Sequence, residues 1–213
     1  MRGVGRIAGA IFDFLLPPIC PVCEDSLSEG GVCSDCWDDL LSSLVLEPKT
    51  YFGFRVYSLF LYRGRVREAI ERMKYKGMFA IVSTFAPSLA EYVREERPDM
   101  VVPIPLHPAR RRERGFSQTE LIARAVASEL GIPVVRVLFR RRYTAPQALL
   151  DAKGREENLR GAFGCLRPLR GERVLLVDDV ITTGNTFYRA ASVLVGAGAS
   201  LVVGGTLARG GPT

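Results

Sequence analysis

Apolar residues recur along this chain with two different periods. Phe54–Leu61 alternates apolar and mixed residues, the period of a strand. Val66, Ile70 and Met73 repeat at helical spacing within 66–75, and Gly77 supplies a stop. Residues 80–97 continue with helical spacing, with Pro87 as a kink or restart. Residues 100–106 read as a strand running into prolines, and 119–130 as a helix closed by Gly131. Residues 134–138 and 201–207 are strand-like, and 187–195 is helical. The run 174–177 is apolar throughout, as in a parallel strand covered on both faces. Alternating strands and helices predict an α/β fold with a mainly parallel sheet flanked by helices. Residues 139–172 have little periodicity and many charges, which predicts an irregular functional or mobile insert.

The most specific chemistry follows the 174–177 run. Two acids, Asp178 and Asp179, are read as closing that strand, and Thr182, Thr183, Gly184, Asn185 and Thr186 follow before the helix. Strand, acids, small hydroxyl-rich loop and helix together build a phosphate site. Loop N–H groups, threonine hydroxyls and the positive helix end can surround a phosphate. The carboxylates can accept hydrogen bonds from sugar hydroxyls. An ordinary strand-to-helix loop, with Thr and Asn as turn and cap residues, is the bland alternative. No Gly-Lys-Ser/Thr is present, so this is not a Walker loop.

This stretch resembles the phosphoribosyl pyrophosphate (PRPP) motif of type I phosphoribosyltransferases. The resemblance implies that Asp178 and Asp179, the candidate catalytic acids, hold the ribose 2′ and 3′ hydroxyls. It also implies that 182–186 holds the 5′-phosphate.

Cys20, Cys23, Cys33 and Cys36 form two C-x₂-C pairs, a spacing suited to tetrahedral Zn²⁺. Gly30 and Gly31 let the chain reverse between them. Two disulfides or a redox dithiol are the competing readings. Four thiolates would leave no open position, so the zinc role is structural. Cys165 stands apart and reads as a small apolar filler. A short helix is expected through 37–41, and Pro48 and Lys49 mark a boundary. The division is therefore 1–48, an N-terminal helix and zinc knuckle, and 49–213, the catalytic-type domain.

The 213 residues are 47% apolar, which suits a domain with a real core plus a small appendage. The net charge of +6 is concentrated in arginine groups, Arg110, Arg111, Arg112 and Arg114, then Arg140 to Arg142. Such groups bind nucleic acid or pyrophosphate, or are simply solvated. Lys74 and Lys76 sit at a helix end, where positive charge is favourable in any case; pyrophosphate contact is the functional reading. No stretch is long and apolar enough to span a membrane. Arg2 and Arg6 before the apolar 7–16 faintly imitate a signal peptide, but Asp13 interrupts it. Ile7, Ile11, Phe14 and Leu15 instead share one face of a short amphipathic helix, packed on the body or, as the minority reading, on a membrane surface. A cytoplasmic location is expected.

From Val102 the chain runs through Pro103, Ile104, Pro105 and Leu106 to His107, the only histidine, which reads as structural. It continues through the arginines to Gly115, Phe116 and Gln118. Ligands of open α/β sheets bind at the carboxyl ends of strands, so this loop and 178–186 are expected to share one rim. Further on come Thr144, Pro146, Gln147, Arg155, Asn158, Gly161 and Phe163. Together with the Cys knuckles and the PRPP loop, these segments resemble the ComF family, the competence-protein-F-like phosphoribosyltransferases, over nearly the whole chain. The resemblance implies a type I phosphoribosyltransferase-like fold and PRPP binding with Mg²⁺. In related transferases the first-strand loop contacts pyrophosphate and a mobile insert covers the site, mapping here to 103–115 and 139–163. It also implies a link to DNA uptake, with single-stranded DNA and other uptake proteins as partners. Two functions are thus expected. One is a phosphoribosyltransferase. The alternative is a single-stranded-DNA-binding, PRPP-sensing protein without turnover.

Overall fold

The structure is a computed structural model that describes residues 19–20, 22–24, 31–45, 47–77, 79–106, 111–112, 115–140 and 162–211. The amphipathic segment 7–16, Gly30, His107, Arg110, Arg114 and the 141–161 part of the insert lie outside the described residues.

Five strands form the main sheet in the order β1-β2-β7-β6-β3. They are β1 (Lys49–Tyr51), β2 (Phe54–Leu61), β3 (Met100–Pro103), β6 (Arg173–Ile181) and β7 (Leu201–Arg209). β2, β7, β6 and β3 are parallel, and β1 is an antiparallel edge. A second sheet pairs β4 (Leu138–Arg140) with β5 (Phe163–Cys165), antiparallel. The helices are α1 (Ser34–Ser42), α2 (Gly64–Lys76), α3 (Ala80–Val93), α4 (Gln118–Leu130) and α5 (Asn185–Gly196).

The expected alternation is present, with differences at element ends that have physical causes. β6 does not stop before the acids. It continues through Asp178 and Asp179 to Ile181, because β7 offers a ladder partner all the way to Arg209. Backbone pairing is indifferent to side-chain polarity. Residues 134–138 are not a strand: Val134 makes an isolated bridge to Val101, and the strand itself is Leu138–Arg140. Pro87 lies inside α3 without ending it, and the last turn tightens to a 3₁₀ turn at Arg94–Glu96. The segment 139–172 is not wholly irregular, since β5 lies within it. β1, with its tight turn at Phe52 and Gly53, was not signalled by an Asn-Gly or Asp-Gly pair. Both turn residues have positive φ, 50° and 86°, and phenylalanine seldom adopts that conformation.

The sheet is covered on both faces, which explains the unbroken apolar run in β6. Leu175 and Val177 pack with α2, α3 and α4 through Ile70, Phe85, Leu89 and Ile122. Val174 and Leu176 pack on the other face with Phe187, Ala190 and Leu194 of α5. Gly204 lets α5 lie close: a Cβ there would come 2.6 Å from the Phe187 ring. The first buried cluster continues without a break into Cys20, Val22, Cys36 and Leu40. The cysteine module is therefore joined to the sheet by shared core. Leu61 N–H donating to Ser43 O at 2.7 Å, and Val45 N–H to Leu59 O at 2.8 Å, tie its end to β2.

Candidate functional site

The carboxyl ends of β6 and β7 carry the acid pair. Asp178 lies opposite Thr206 in the ladder. Its Oδ1 accepts the Asp179 N–H at 2.9 Å, and Asp179 Oδ1 accepts the Val180 N–H at 2.7 Å. Each acid therefore keeps one oxygen turned back on the chain. Asp179 Oδ2 lies 3.3 Å from Lys74 Nζ at the end of α2, both side chains being largely covered. Burial pushes the Asp178 carboxyl well above the usual carboxylate range, and the neighbouring Asp179 charge adds to the rise. Lys74 and the Asp179 N–H pull the other way. Lys74 also sits over the Tyr62 ring, 5.7 Å from its centroid. The Tyr62 hydroxyl donates to Glu71, and burial followed by that bond raises its pKa.

The loop 182–184 leaves β6 and enters α5. Gly184 has φ +78°, which favours glycine, and no side chain caps the helix. Thr182, Thr183, Asn185 and Thr186 are exposed, while Phe187 anchors the first turn in the core. Asn185 Nδ2 donates to Thr183 Oγ1 at 3.2 Å. The loop is held from beneath by Gly210, whose N–H donates to Ile181 O at 2.7 Å. Exposed hydroxyls beside an uncapped helix start are what a phosphate needs. Sequence reasoning missed Tyr51, which closes the loop from the β1 side. A Cβ on Gly184 would lie 2.6 Å from its ring, and the Tyr51 hydroxyl is buried with no hydrogen-bond partner among the described residues.

The loop after β3 turns into α4 through Ser117, whose hydroxyl accepts the Glu120 N–H. Thr119 Oγ1 donates to Ile104 O at 2.8 Å and fixes the start of the loop. A cavity of about 210 Å³ opens there, lined by Ile104, Arg111, Phe116, Glu120 and Arg136 among others. Burial works against the Glu120 charge, but hydrogen bonds from Arg136 and Arg124 outweigh it and hold the carboxyl below its usual range. Of the two lysines at the end of α2, only Lys74 meets the acid pair. Lys76 Nζ is 3.0 Å from Glu24 Oε2, next to Cys23.

The four cysteines are brought together, their sulfurs all within 4.8 Å of one another and none in a disulfide. Cys23 Sγ and Cys33 Sγ are 3.7 Å apart. A tetrahedron with Zn–S arms of 2.3 Å has edges of about 3.8 Å. The N–H groups of Val22 and Cys33 approach Cys20 Sγ at 3.4 Å each, a contact that favours its thiolate form. Burial and the neighbouring cysteines push the Cys36 thiol up, a crowding that a divalent cation reverses. The donor set fits structural Zn²⁺. Cys165, by contrast, is half-exposed and donates to Arg167 O at 3.0 Å.

Comparison with known proteins agrees with this arrangement. Residues 11–47 match the double zinc ribbon domain, and 117–211 match the phosphoribosyl transferase domain. The chain is 34% identical to competence protein F of Haemophilus influenzae, over 83% of this chain and 83% of that one. It is 28% identical to DNA utilization protein YhgH of Salmonella typhi, over 88% of this chain and 95% of that one. Among solved structures it is similar to the allosteric regulatory enzyme of purine biosynthesis, with 26% identity and a TM-score of 0.40. That match spans 58% of this chain and only 25% of the enzyme. No described helix is long and apolar enough to cross a membrane.

Proposed function

The chain belongs to the competence protein F (ComF) family, and from that premise we propose that it binds PRPP with Mg²⁺ and acts as a phosphoribosyltransferase linked to DNA uptake in natural competence. The observation that carries this reading is the half-buried acid pair set one loop before an uncapped, hydroxyl-lined helix start. In this reading the 5′-phosphate rests on the 182–186 N–H groups and on the hydroxyls of Thr182, Thr183 and Thr186. The ribose hydroxyls donate to Asp178 and Asp179. These hard carboxylate oxygens also fit Mg²⁺, which when bound would supply charge neutralisation on pyrophosphate. Transfer makes the sugar C1 cationic as its bond to pyrophosphate oxygen breaks and the acceptor bond forms. In this reading the acids stabilise that charge from the sugar side, and Lys74, paired with Asp179, is a cation for the leaving-group charge. In this reading the chain divides at residue 48 into the zinc module and the transferase-type domain.

The test is calorimetric titration of PRPP with Mg²⁺ into wild type and into Asp178→Asn/Asp179→Asn. Each lost charge-assisted bond should cost about 1.5–3 kcal/mol. Wild-type affinity in the folded double variant contradicts the assignment.

A second reading, PRPP sensing by a single-stranded-DNA-binding protein without turnover, has its own observation. Phe52 and Tyr188 are exposed by 57% and 40%, with ring centroids 4.9 Å apart, and Tyr188 lies in the turn that follows the phosphate loop. Exposed rings near cations are what stacked bases use. The relatives' names, competence and DNA utilization, favour a role beside DNA.

A further inference from the structure

Helix α2 lies outside the stretch matched to the phosphoribosyl transferase domain, yet it delivers Lys74 to the acid pair. Both of its ends are held by the cysteine module. At the start, its own N-cap residue, Arg63, supplies no side-chain cap. Asp39 of α1 does so instead, Oδ2 accepting the Arg65 N–H at 2.9 Å. Arg63 in turn donates to Ser42 O at 2.8 Å. At the finish, Glu24 follows Cys23 with φ +65° and reaches two cations of the last turns, Lys76 at 3.0 Å and Arg72 Nε at 3.6 Å. Arg72 and Lys76 are four residues apart and share a face. Lys74 lies about 200° around the helix from each, on the side of the sheet ends. Its carbonyl accepts from Gln118 Nε2 at 3.4 Å, a side chain with no exposed surface. Val66, Ala69, Ile70 and Met73 fill the space between the two grips.

We propose that α2 is a strut coupling the zinc centre to the PRPP site, with Glu24 and Asp39 as positioning residues and Lys74 as the contact they place. The proposal rests on the PRPP reading above. A cation that must meet both Asp179 and an arriving pyrophosphate works only within a narrow range of positions. A side chain at a helix end has that precision only when the end is held. Among the described residues, the acids that face Lys74 are Asp179, its neighbour Asp178 and, across the Tyr62 ring, Glu71. None of these belongs to the cysteine module, so the module acts through the helix and not by direct charge.

The coupling is reciprocal. Glu24→Gln leaves all four cysteines in place, so it should retain zinc, and it should weaken PRPP binding about five- to tenfold. The same change made in a Lys74→Met background should have no further effect, because the path it acts through is already gone. In the other direction, saturating PRPP should slow zinc release to a chelating dye several-fold in wild type and not in Glu24→Gln. Wild type that binds no PRPP would refute the function proposed above. Wild type that binds PRPP, with Glu24→Gln unchanged or equally weakened in both backgrounds, overturns the strut alone. Where Lys74→Met binds too weakly to read, the zinc-release comparison decides: equal slowing in wild type and Glu24→Gln overturns the proposal.

Discussion

The Tyr51 ring occupies the space that a Cβ on Gly184 would need, with a separation of 2.6 Å. The 182–186 loop therefore has its one glycine where both conformation and neighbour demand it. Gly184→Ala adds a left-handed backbone cost to an overpacking cost, together roughly 2–4 kcal/mol of stability. Adding Tyr51→Ala should recover only the overpacking part. Denaturant unfolding of the single and double variants checks this; full recovery in the double variant would show that the backbone cost is negligible.

Asp178 gives a pH prediction of definite sign. Its folded pKa is raised by burial first and by Asp179 second, so its contribution is favourable at low pH and lost as pH rises through the folded value. An isosteric Asp178→Asn variant should match wild-type stability below about pH 4, the value for an unfolded aspartate. Above that it should become progressively more stable than wild type, while losing PRPP affinity. Thermal melts from about pH 3.5, just below that reference, to about pH 8 should show the two curves diverging as pH rises; a constant offset contradicts the account.

Metal analysis should return about one zinc per chain. Cys20→Ser should lower zinc content and melting temperature together, because the cysteines share a buried cluster with Leu40, Val66 and Phe85. Chelation should destabilise wild type more than the variant. A metal-free protein with undiminished stability contradicts this.

For single-stranded DNA, log affinity should fall against log salt with a slope near −0.7 per neutralised phosphate. Neutralising Arg111 and Arg112 should flatten that slope by about one to two units. Phe52→Ser with Tyr188→Ser should weaken binding while leaving the slope unchanged. Anisotropy of a labelled oligonucleotide distinguishes these, and salt-independent binding removes the nucleic-acid reading.

The parts of the molecule that could be read in advance were those specified locally. The C-x₂-C spacing, the glycine stops at Gly77 and Gly131 and the order of strand, acids, loop and helix are properties of short segments. What escaped is specified by partners distant in sequence. β6 runs through its acids because β7 pairs with them, and nothing in 173–181 alone announces that. Tyr51 reaches Gly184 because a tight turn carries an unusual phenylalanine. Glu24 and Asp39 look like ordinary surface acids until α2 lies against them.

The order β1-β2-β7-β6-β3 has a consequence for any attempt to cut the protein down. To the main sheet the stretch 117–211 supplies only the adjacent strands β7 and β6, and both of their outer neighbours come from earlier in the chain. A fragment beginning at 117 would keep α4, α5 and the β4–β5 pair, but its part of the main sheet would be a two-stranded parallel ribbon of nine-residue strands with both long edges unpaired. Such edges recruit other chains instead of folding alone. The segment that matches the phosphoribosyl transferase domain is thus not autonomous, and the residues ahead of it are the flanks that cover its edges.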